Sequence, residues 1–543
     1  MTRTSSLLGL AFSGGALMLV AIACGAADNE DAAGAPSGTG GASAFDSGLG
    51  GFNATGGGAG QGGSAGSGLP PEKELESSFR VPVTTSRFVW SANPDSGRVA
   101  LIDASSLELT ILEAGFAPTY LAAVSDPADE TNNAAIVLNV LSHDATLFRV
   151  AGSGKVDTTT LPTHQGANSW AVSKDGGWAI AWTDPTKVTN PDPTDGFQDV
   201  TVLHLTDPPT STRLTVGYRP TRLSISSDGT RAFAVTEPGV SVIELSSAPE
   251  VTQLVPVTDD PLSAASTRDV SITPDGSMAV VRNEGDDDVL FIDLSDGSRN
   301  TRTLSGPLTD LDLSADGSLA LAVVRDQAEL FLLPIPEAAT NAAAGDSVKL
   351  SGELVGSVSV SENSETAALY SNATANDRIS TVDLRPGAGY LTVRSVSVKA
   401  PVQAVFPAPD GAHLIALSSP PGGSSKKGAF SLVAAQKILS PKVVGTDAVP
   451  IAVGLQQSPT ARGLIAVRDD VTQKHGVYMA RMPSLQVDFT PLSSPPLSVG
   501  IVQKAGKGYV AQQHPEGRIT FIDLTDGSAR TLTGFELGAK VVD

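Results

Sequence analysis

The chain has 543 residues, of which 41% are apolar and 5% aromatic, with 55 glycines and 36 prolines. Its formal charge of −22 at pH 7 repels phosphate backbones, which argues against nucleic-acid binding. Cys24 is the one cysteine, which excludes an internal disulfide and haem attachment through a Cys-x-x-Cys-His motif. Short runs of Val, Leu, Ile and Ala between turn residues predict an all-β protein.

Residues 1–23 have the pattern of an export signal. Arg3 precedes an apolar run that starts at Leu7, and small residues stand before Cys24. The run is short and interrupted by glycines, which favours a cleaved signal peptide over the alternative of a permanent N-terminal membrane span.

The segment Ala21-Ile22-Ala23-Cys24 resembles a bacterial lipobox. The resemblance implies that Cys24 carries a diacylglyceryl thioether and an N-acyl chain such as palmitate, and several acyl chains together hold a protein on a bilayer. Gly25 stands where the lipoprotein sorting rule would require Asp for retention in the inner membrane. We therefore expect an exported protein anchored by lipid to the outer membrane of a Gram-negative cell.

Residues 24–75 are predicted to be a disordered linker. The 44 residues from Gly25 to Gly68 consist mainly of Gly, Ala and Ser, and they cannot bury enough apolar surface to offset the entropy of ordering. A Gly-rich coil of this length reaches roughly 33–40 Å, which would lift a globular part clear of the lipid headgroups.

Residues 76–543 contain a repeating unit. A short strand leads into an Asp-Gly turn, an apolar strand follows, and a third strand ends in Ile/Val-Asp-Leu; the clearest copy spans residues 271–294. The turn recurs at Asp175, Asp228, Asp275, Asp316, Asn363 and Asp410, with successive gaps of 53, 47, 41, 47 and 47 residues. Such a period is typical of four-stranded β-propeller blades, and the whole segment contains ten units.

The two ends of the repeat region suggest how the ring closes. Residues 534–542 match the segments that start other units, but no blade follows them, whereas the first unit has only an indistinct first strand in residues 79–83. We therefore expect the C-terminal segment to supply the first strand of the first blade. A single ring follows from this closure; two smaller rings are the alternative, because ten blades exceed the usual range.

The repeats resemble those of YVTN-family propellers, which are also WD40-like in outline. The resemblance is carried by Phe88-Val89-Trp90-Ser91-Ala92-Asn93 followed by Val99-Ala100-Leu101-Ile102-Asp103, and by Ile519-Thr520-Phe521-Ile522-Asp523 in the last unit. It implies an extracytoplasmic setting and a role as a surface or binding module, without implying a reaction.

Carboxylates recur at one position of the repeat, near the end of the third strand: Asp103, Glu244, Asp293, Asp383 and Asp523. We interpret them as caps of the turn that follows, because a catalytic pair has no reason to repeat around a ring. The alternative interpretation is an acid–base pair across a cleft.

Unit three carries an acidic insertion at residues 184–199. Asp192, Asp195 and Asp199 are calcium candidates, because hard oxygen ligands at close spacing suit Ca²⁺. However, Asp195 falls where the loop glycine of the usual calcium motif belongs, so a solvated, proline-stiffened loop is the preferred interpretation. Residues 284–288 form a second acidic loop.

No other motif indicates catalysis. The six histidines are scattered, without His-Glu-x-x-His spacing or a Gly-x-Ser-x-Gly elbow, and we predict neither catalytic residues nor a cofactor. Trp178 and Trp182 share a strand face with Ile180 and are expected in the core. The preferred function is a non-catalytic, lipid-anchored scaffold that binds an envelope protein or a glycan at the propeller rim. The alternative is a lactonase-type hydrolase with its active site at the channel mouth.

Overall fold

The structure is a computed structural model that describes residues 52–54, 75–77, 82–124, 133–259, 267–437, 439–457, 462–514 and 517–534. Its main feature is a series of ten four-stranded antiparallel sheets, each built from four consecutive strands. The ten sheets are the blades of a β-propeller, which confirms the predicted fold class and the predicted count of ten units.

The first five blades span residues 83–303. Their strands are β3 (Val83–Thr85), β4 (Phe88–Asn93), β5 (Arg98–Asp103) and β6 (Leu109–Glu113) in blade 1; β7 (Pro118–Ala123), β8 (Asn133–Asn139), β9 (Asp144–Val150) and β10 (Val156–Pro162) in blade 2; β11 (Ser169–Val172), β12 (Trp178–Trp182), β13 (Asp199–His204) and β14 (Thr210–Thr215) in blade 3; β15 (Arg222–Ile225), β16 (Arg231–Val235), β17 (Gly239–Glu244) and β18 (Glu250–Pro256) in blade 4; and β19 (Arg268–Ile272), β20 (Met278–Asn283), β21 (Asp288–Asp293) and β22 (Arg299–Thr303) in blade 5.

The other five blades span residues 310–533. Their strands are β23 (Asp310–Leu313), β24 (Leu319–Val324), β25 (Glu329–Pro334) and β26 (Asp346–Lys349) in blade 6; β27 (Ser357–Val360), β28 (Thr366–Tyr370), β29 (Arg378–Asp383) and β30 (Val393–Ser397) in blade 7; β31 (Val402–Pro407), β32 (His413–Ser418), β33 (Gly428–Ala434) and β34 (Lys442–Thr446) in blade 8; β35 (Val449–Leu455), β36 (Arg462–Asp469), β37 (Lys474–Arg481) and β38 (Gln486–Pro491) in blade 9; and β39 (Pro496–Val502), β40 (Lys507–Gln512), β41 (Arg518–Asp523) and β42 (Ala529–Thr533) in blade 10. A four-residue helix, α1 (Glu337–Thr340), follows β25.

The Asp-Gly turn joins the first two strands of a blade, as the repeat pattern predicts. In blade 5 the carboxylate of Asp275 accepts hydrogen bonds from the Ser277 N–H at 3.0 Å and from the Thr273 hydroxyl at 2.6 Å. Gly276 adopts a φ of +69°, a conformation that side-chain-bearing residues avoid. The turn therefore needs both residue types, one to cap and one to bend.

Ten hydrophobic clusters form the core, and each cluster lies between two neighbouring blades. The cluster that contains Val89 and Tyr509 joins blade 10 to blade 1. There the Tyr509 hydroxyl also donates to the carbonyl of Pro82 at 2.7 Å, and the Lys504 N–H donates to the carbonyl of Ser86 at 3.2 Å. The blades therefore close into one ring, and not into two smaller ones.

The described part of the closure lies in blade 1. The innermost strand of blade 1 is β3, which pairs with β4 through Val83 and Trp90, so blade 1 takes all four strands from one stretch of chain. The prediction placed the C-terminal segment at this position, which β3 occupies among the described residues. Residues 535–543 themselves lie outside the described residues.

The N-terminal predictions are only partly covered by the described residues. β1 (Phe52–Ala54) lies within the predicted linker and pairs in antiparallel fashion with β2 (Leu75–Ser77), which begins at the last residue of that linker. Strand pairing uses backbone groups that every composition provides, which is why composition did not reveal it. The predicted signal peptide and Cys24 lie outside the described residues.

Candidate functional site

The antiparallel order of the strands gives the ring two faces. The connection between the second and third strands of each blade, and the connection from one blade to the next, lie on one side, which we call the loop face. The Asp-Gly turns and the turns between third and fourth strands lie on the other side, the turn face. The innermost strands surround the central channel, as in other propellers.

Charged residues on the innermost strands are confined to one part of the channel wall. The ten innermost strands contain five charged residues, and all five lie on three consecutive strands, β15, β19 and β23. We call them the charged sector: Arg222, Arg268, Asp269, Asp310 and Asp312. The innermost strands of the other seven blades carry only apolar and uncharged polar residues. The channel wall is therefore strongly asymmetric.

Asp312 has the most perturbed ionisation in the charged sector. Burial raises its pKa to about 7, and the nearby charge of Asp269 raises it further. Hydrogen bonds from the N–H groups of Leu313, at 3.0 Å, and Val360 oppose the rise, as does the charge of Arg222. Asp312 keeps some contact with solvent. A carboxyl group of this kind exchanges its proton near neutral pH.

Asp310 connects the charged sector to the next blade. One of its carboxylate oxygens accepts a hydrogen bond from the Val358 N–H at 2.7 Å, and the other accepts from the Leu311 N–H at 2.9 Å. Val358 lies on β27, the innermost strand of blade 7, which pairs only with β28. Asp310 and Asp312 therefore satisfy backbone donors along the edge of β27, beside which the described residues place no further strand.

Two arginines lie on the loop-face side of the sector, and one of them pairs with a carboxylate. The Arg282 guanidinium lies 3.6 Å from the Asp269 carboxylate and donates to the carbonyl of Thr309 at 2.9 Å. The Arg268 guanidinium donates to the carbonyl of Glu237 at 3.2 Å, and burial lowers the pKa of Arg268. Guanidinium and carboxylate groups thus stand side by side at the mouth of the channel, offering both hydrogen-bond donors and acceptors.

No sequence motif indicates the charged sector, because its members belong to no known motif and are spread over about ninety positions of sequence. A usable signal exists in the repeat itself. Alignment of the ten units on their turns would show that the first strand is uncharged except at Arg222, Arg268, Asp269, Asp310 and Asp312. A departure from the repeat at one structural position in three adjacent blades indicates a local role.

The acidic loop that contains the calcium candidates is held by protein groups. The Asp192 carboxylate accepts from the Thr194 N–H at 2.8 Å and from its hydroxyl at 2.7 Å. The Arg219 guanidinium donates to the carbonyls of Asp192 and Asp195, both at 3.1 Å. Asp199 lies in β13. Within the described ranges, no three His, Cys, Asp or Glu side chains form a group suited to a metal ion, so the three aspartates do not come together as ligands.

Four of the five recurring carboxylates cap turns, as the repeat pattern predicts; among the described residues no such cap is seen for Glu244. Asp103, Asp293, Asp383 and Asp523 each accept a hydrogen bond from the N–H two residues ahead, at distances of 2.7–3.0 Å. All of these turns lie on the turn face. Trp178 and Trp182 pack with Ile180 in the cluster between blades 3 and 4, which confirms their place in the core.

His164 is a buried structural residue. Its ring nitrogens lie 2.9 Å from the Thr201 hydroxyl and 3.2 Å from the Thr183 hydroxyl, and burial lowers its pKa to about 4. A neutral imidazole between two hydroxyls serves packing well, because every polar atom in the group has a partner.

Comparison with known proteins gives no family. No family model and no curated protein matches the sequence. Among solved structures, the dihydro-heme d1 dehydrogenase NirN in complex with DHE is 14% identical, with 67% of this chain and 74% of that chain covered and a TM-score of 0.40. Hydrazine synthase from Kuenenia stuttgartiensis is 15% identical, with 61% and 100% covered and a TM-score of 0.31.

A eukaryotic initiation factor is 13% identical, with 75% of this chain and 96% of that chain covered and a TM-score of 0.47. Likenesses at this level carry no inference about activity or ligand. The part of the chain that the structure describes also contains no helix with the length and apolar character needed to cross a bilayer.

Proposed function

We propose that this protein is an exported lipoprotein that holds a non-catalytic, YVTN-like binding propeller at the bacterial envelope, with its ligand at the channel mouth. The observation that carries the binding role is the charged sector. Five charged side chains lie on three adjacent innermost strands, and the other seven innermost strands that the structure describes carry no charged residue, which marks one part of the ring for polar recognition.

The proposed ligand class is an envelope glycan. A glycan presents many hydroxyl groups, each of which donates and accepts hydrogen bonds. The sector offers guanidinium donors from Arg222 and Arg268 together with carboxylate acceptors from Asp269 and Asp312. With two arginines and three aspartates the sector carries little net charge, which favours a neutral, hydroxyl-rich ligand over a polyanion, and the net charge of −22 also disfavours a polyanion.

The anchor is tested first. Cells fed an alkyne analogue of palmitate should yield labelled wild-type protein that enters the detergent phase and co-fractionates with the outer membrane. The Cys24→Ser variant should carry no label and stay in the aqueous phase. Wild-type protein without acyl groups on Cys24 would contradict the anchor and leave the binding proposal to be judged separately.

The ligand is tested on the full-length Cys24→Ser protein by calorimetric titration with purified envelope glycans. Arg222→Ala and Asp269→Asn should each weaken binding about tenfold or more, because each removes a charge-assisted hydrogen bond. Asp228→Asn, at an exposed Asp-Gly turn on the turn face, is the matched control and should bind like the wild type. Equal affinities in all three variants would refute the site, and binding to an envelope protein alone would refute the glycan.

A lactonase-type hydrolase is the second candidate function. The observation that favours it is Asp312, since a carboxyl group with a pKa of about 7 suits a general base. The same preparations, assayed with a panel of lactones, separate the two candidates. Turnover that Asp312→Asn abolishes would favour the hydrolase, whereas glycan binding without turnover favours the scaffold.

A further inference from the structure

Two large, exposed apolar residues lie on adjacent loops of the loop face. Phe116, in the connection from blade 1 to blade 2, is 74% exposed, and Leu141, in the loop between β8 and β9, is 72% exposed. Exposed apolar pairs of this size are sites of contact with another apolar surface, because leaving them in water costs free energy.

The two loops are joined so that the side chains stay exposed. The Leu141 N–H donates to the carbonyl of Phe116 at 3.2 Å, and the Val140 N–H donates to the carbonyl of Ala117 at 3.1 Å. In return, the Phe116 N–H donates to the Ser142 hydroxyl at 3.1 Å. These hydrogen bonds fix the two loops relative to each other, and we call Phe116 and Leu141 together the platform.

The backbone is strained to form this platform. Ala117 and His143 adopt φ values of +54° and +56°, the left-handed region that residues with a side chain seldom occupy. A Cβ on Gly115 would lie 2.6 Å from the Asn139 side chain, so only glycine lets the loops approach this closely. The strained backbone occurs where two apolar side chains are exposed, which indicates a function other than stabilising the ring.

The N-terminal segment joins the ring beside this platform. Strand β3, the first strand of blade 1, runs from the loop face towards the turn face, because it is the first strand of an antiparallel blade. Phe116 lies in the connection that leaves the same blade. The predicted reach of the linker, roughly 33–40 Å, lets the ring stand clear of the headgroups or return to them. A lipid on Cys24 would therefore keep the membrane within reach of the loop face of blades 1 and 2, at a high effective concentration.

We propose that Phe116 and Leu141 insert into the surface of the bilayer that holds Cys24, so that the loop face of blades 1 and 2 docks on the membrane. This inference rests on the proposed lipid anchor. The occupant is the lipid bilayer, because the anchor brings that surface to this edge of the ring and a second, apolar contact complements the acyl chains. The turn face then points away from the membrane.

The test uses the single-cysteine sequence. Once Cys24 is acylated through its sulfur, the Leu141→Cys variant has one free thiol, which is labelled with a polarity-sensitive nitrobenzoxadiazole fluorophore. The lipidated protein is placed in phosphatidylcholine vesicles with and without doxyl-labelled lipid. Ser105→Cys, at an exposed turn of blade 1 on the turn face, is the matched control. We expect the emission of the fluorophore at position 141 to shift to the blue and to be quenched by the doxyl lipid. A fluorophore at position 105 should show neither effect.

A second variant tests the partner side chain. Adding Phe116→Ser to the labelled Leu141→Cys protein should lower the ratio of docked to undocked protein about tenfold, since one of two buried apolar side chains is lost. Three results on fully acylated protein would overturn the inference alone: no quenching at position 141, equal quenching at both positions, or no effect of Phe116→Ser. A blue shift without quenching would indicate contact with protein and would also overturn it. A free thiol at Cys24 would instead remove the anchor and, with it, this inference.

Discussion

Replacing Asp312 by asparagine should change how the stability of the ring depends on pH. Burial raises the pKa of Asp312 to about 7 from its ordinary value of 3.8. The folded protein therefore holds this proton more tightly than the unfolded chain does. The stabilisation is fully present below the unfolded pKa and is lost as the pH rises through the folded pKa.

The magnitude follows from the shift. A rise from 3.8 to about 7 corresponds to at most about 4 kcal/mol of unfolding free energy, and the contact of Asp312 with solvent reduces this value. Asparagine is neutral at every pH, so the variant lacks this dependence. The unfolding free energy of Asp312→Asn minus that of the wild type should thus rise by a few kcal/mol between about pH 4 and pH 8.

Urea unfolding followed by tryptophan fluorescence at several pH values measures this difference. Asp523→Asn is the control of opposite sign, because a hydrogen bond from Lys507 lowers the pKa of Asp523 to about 2. Its carboxylate is ionised in both states above about pH 5, so Asp523→Asn should be less stable than the wild type by a constant amount over that range. A flat difference for Asp312→Asn, or one that falls with rising pH, would refute the assigned burial of Asp312.

Two further predictions concern the ring itself. Gly276→Ala should lower the unfolding free energy by about 2–4 kcal/mol in urea unfolding, because Gly276 has a φ of +69° and its Cβ would lie 2.3 Å from the Phe233 ring. Gly285→Ala, at φ +83° with nothing within 4 Å, should cost only about 1 kcal/mol, and equal losses would contradict the packing argument. Asp310→Ala should cost about 1–3 kcal/mol, since the Val358 N–H loses its acceptor, whereas Asp310→Asn should retain most of the stability in the same assay. If Asp310→Ala unfolds at the same urea concentration as the wild type, the Val358 N–H at the edge of β27 does not need this acceptor.

Much of the fold could be predicted, because each blade is specified locally. The Asp275-Gly276 turn depends on contacts within a few residues, and the apolar strand that follows it, β20, pairs with the next segment of chain. Neighbouring segments repeat this arrangement, so the period and the count of ten units could be obtained by inspection. The role of Asp103 as a turn cap was predictable for the same reason, since its partner lies two residues away.

The closure of the ring could not be predicted in this way. Residues 534–542 resemble the start of a blade. However, the innermost strand of blade 1 is formed by whichever segment pairs with β4. That position is taken by Val83–Thr85, and the Trp90 indole donates to the Thr85 hydroxyl at 2.9 Å beside it. A resemblance between distant segments does not show which of them pairs with β4.

From the sequence alone follow the β-propeller class, the ten blades, the capped turns and the expectation of a lipid on Cys24. Each depends on a local pattern, whose partners lie within one repeat. The tertiary structure decided that the ring is single and that Arg222, Asp269 and Asp312 face one another across three blades. It also decided that Phe116 and Leu141 meet on one face. These residues are far apart in the chain, and the ring brings them close together. No pattern within one repeat indicates that proximity.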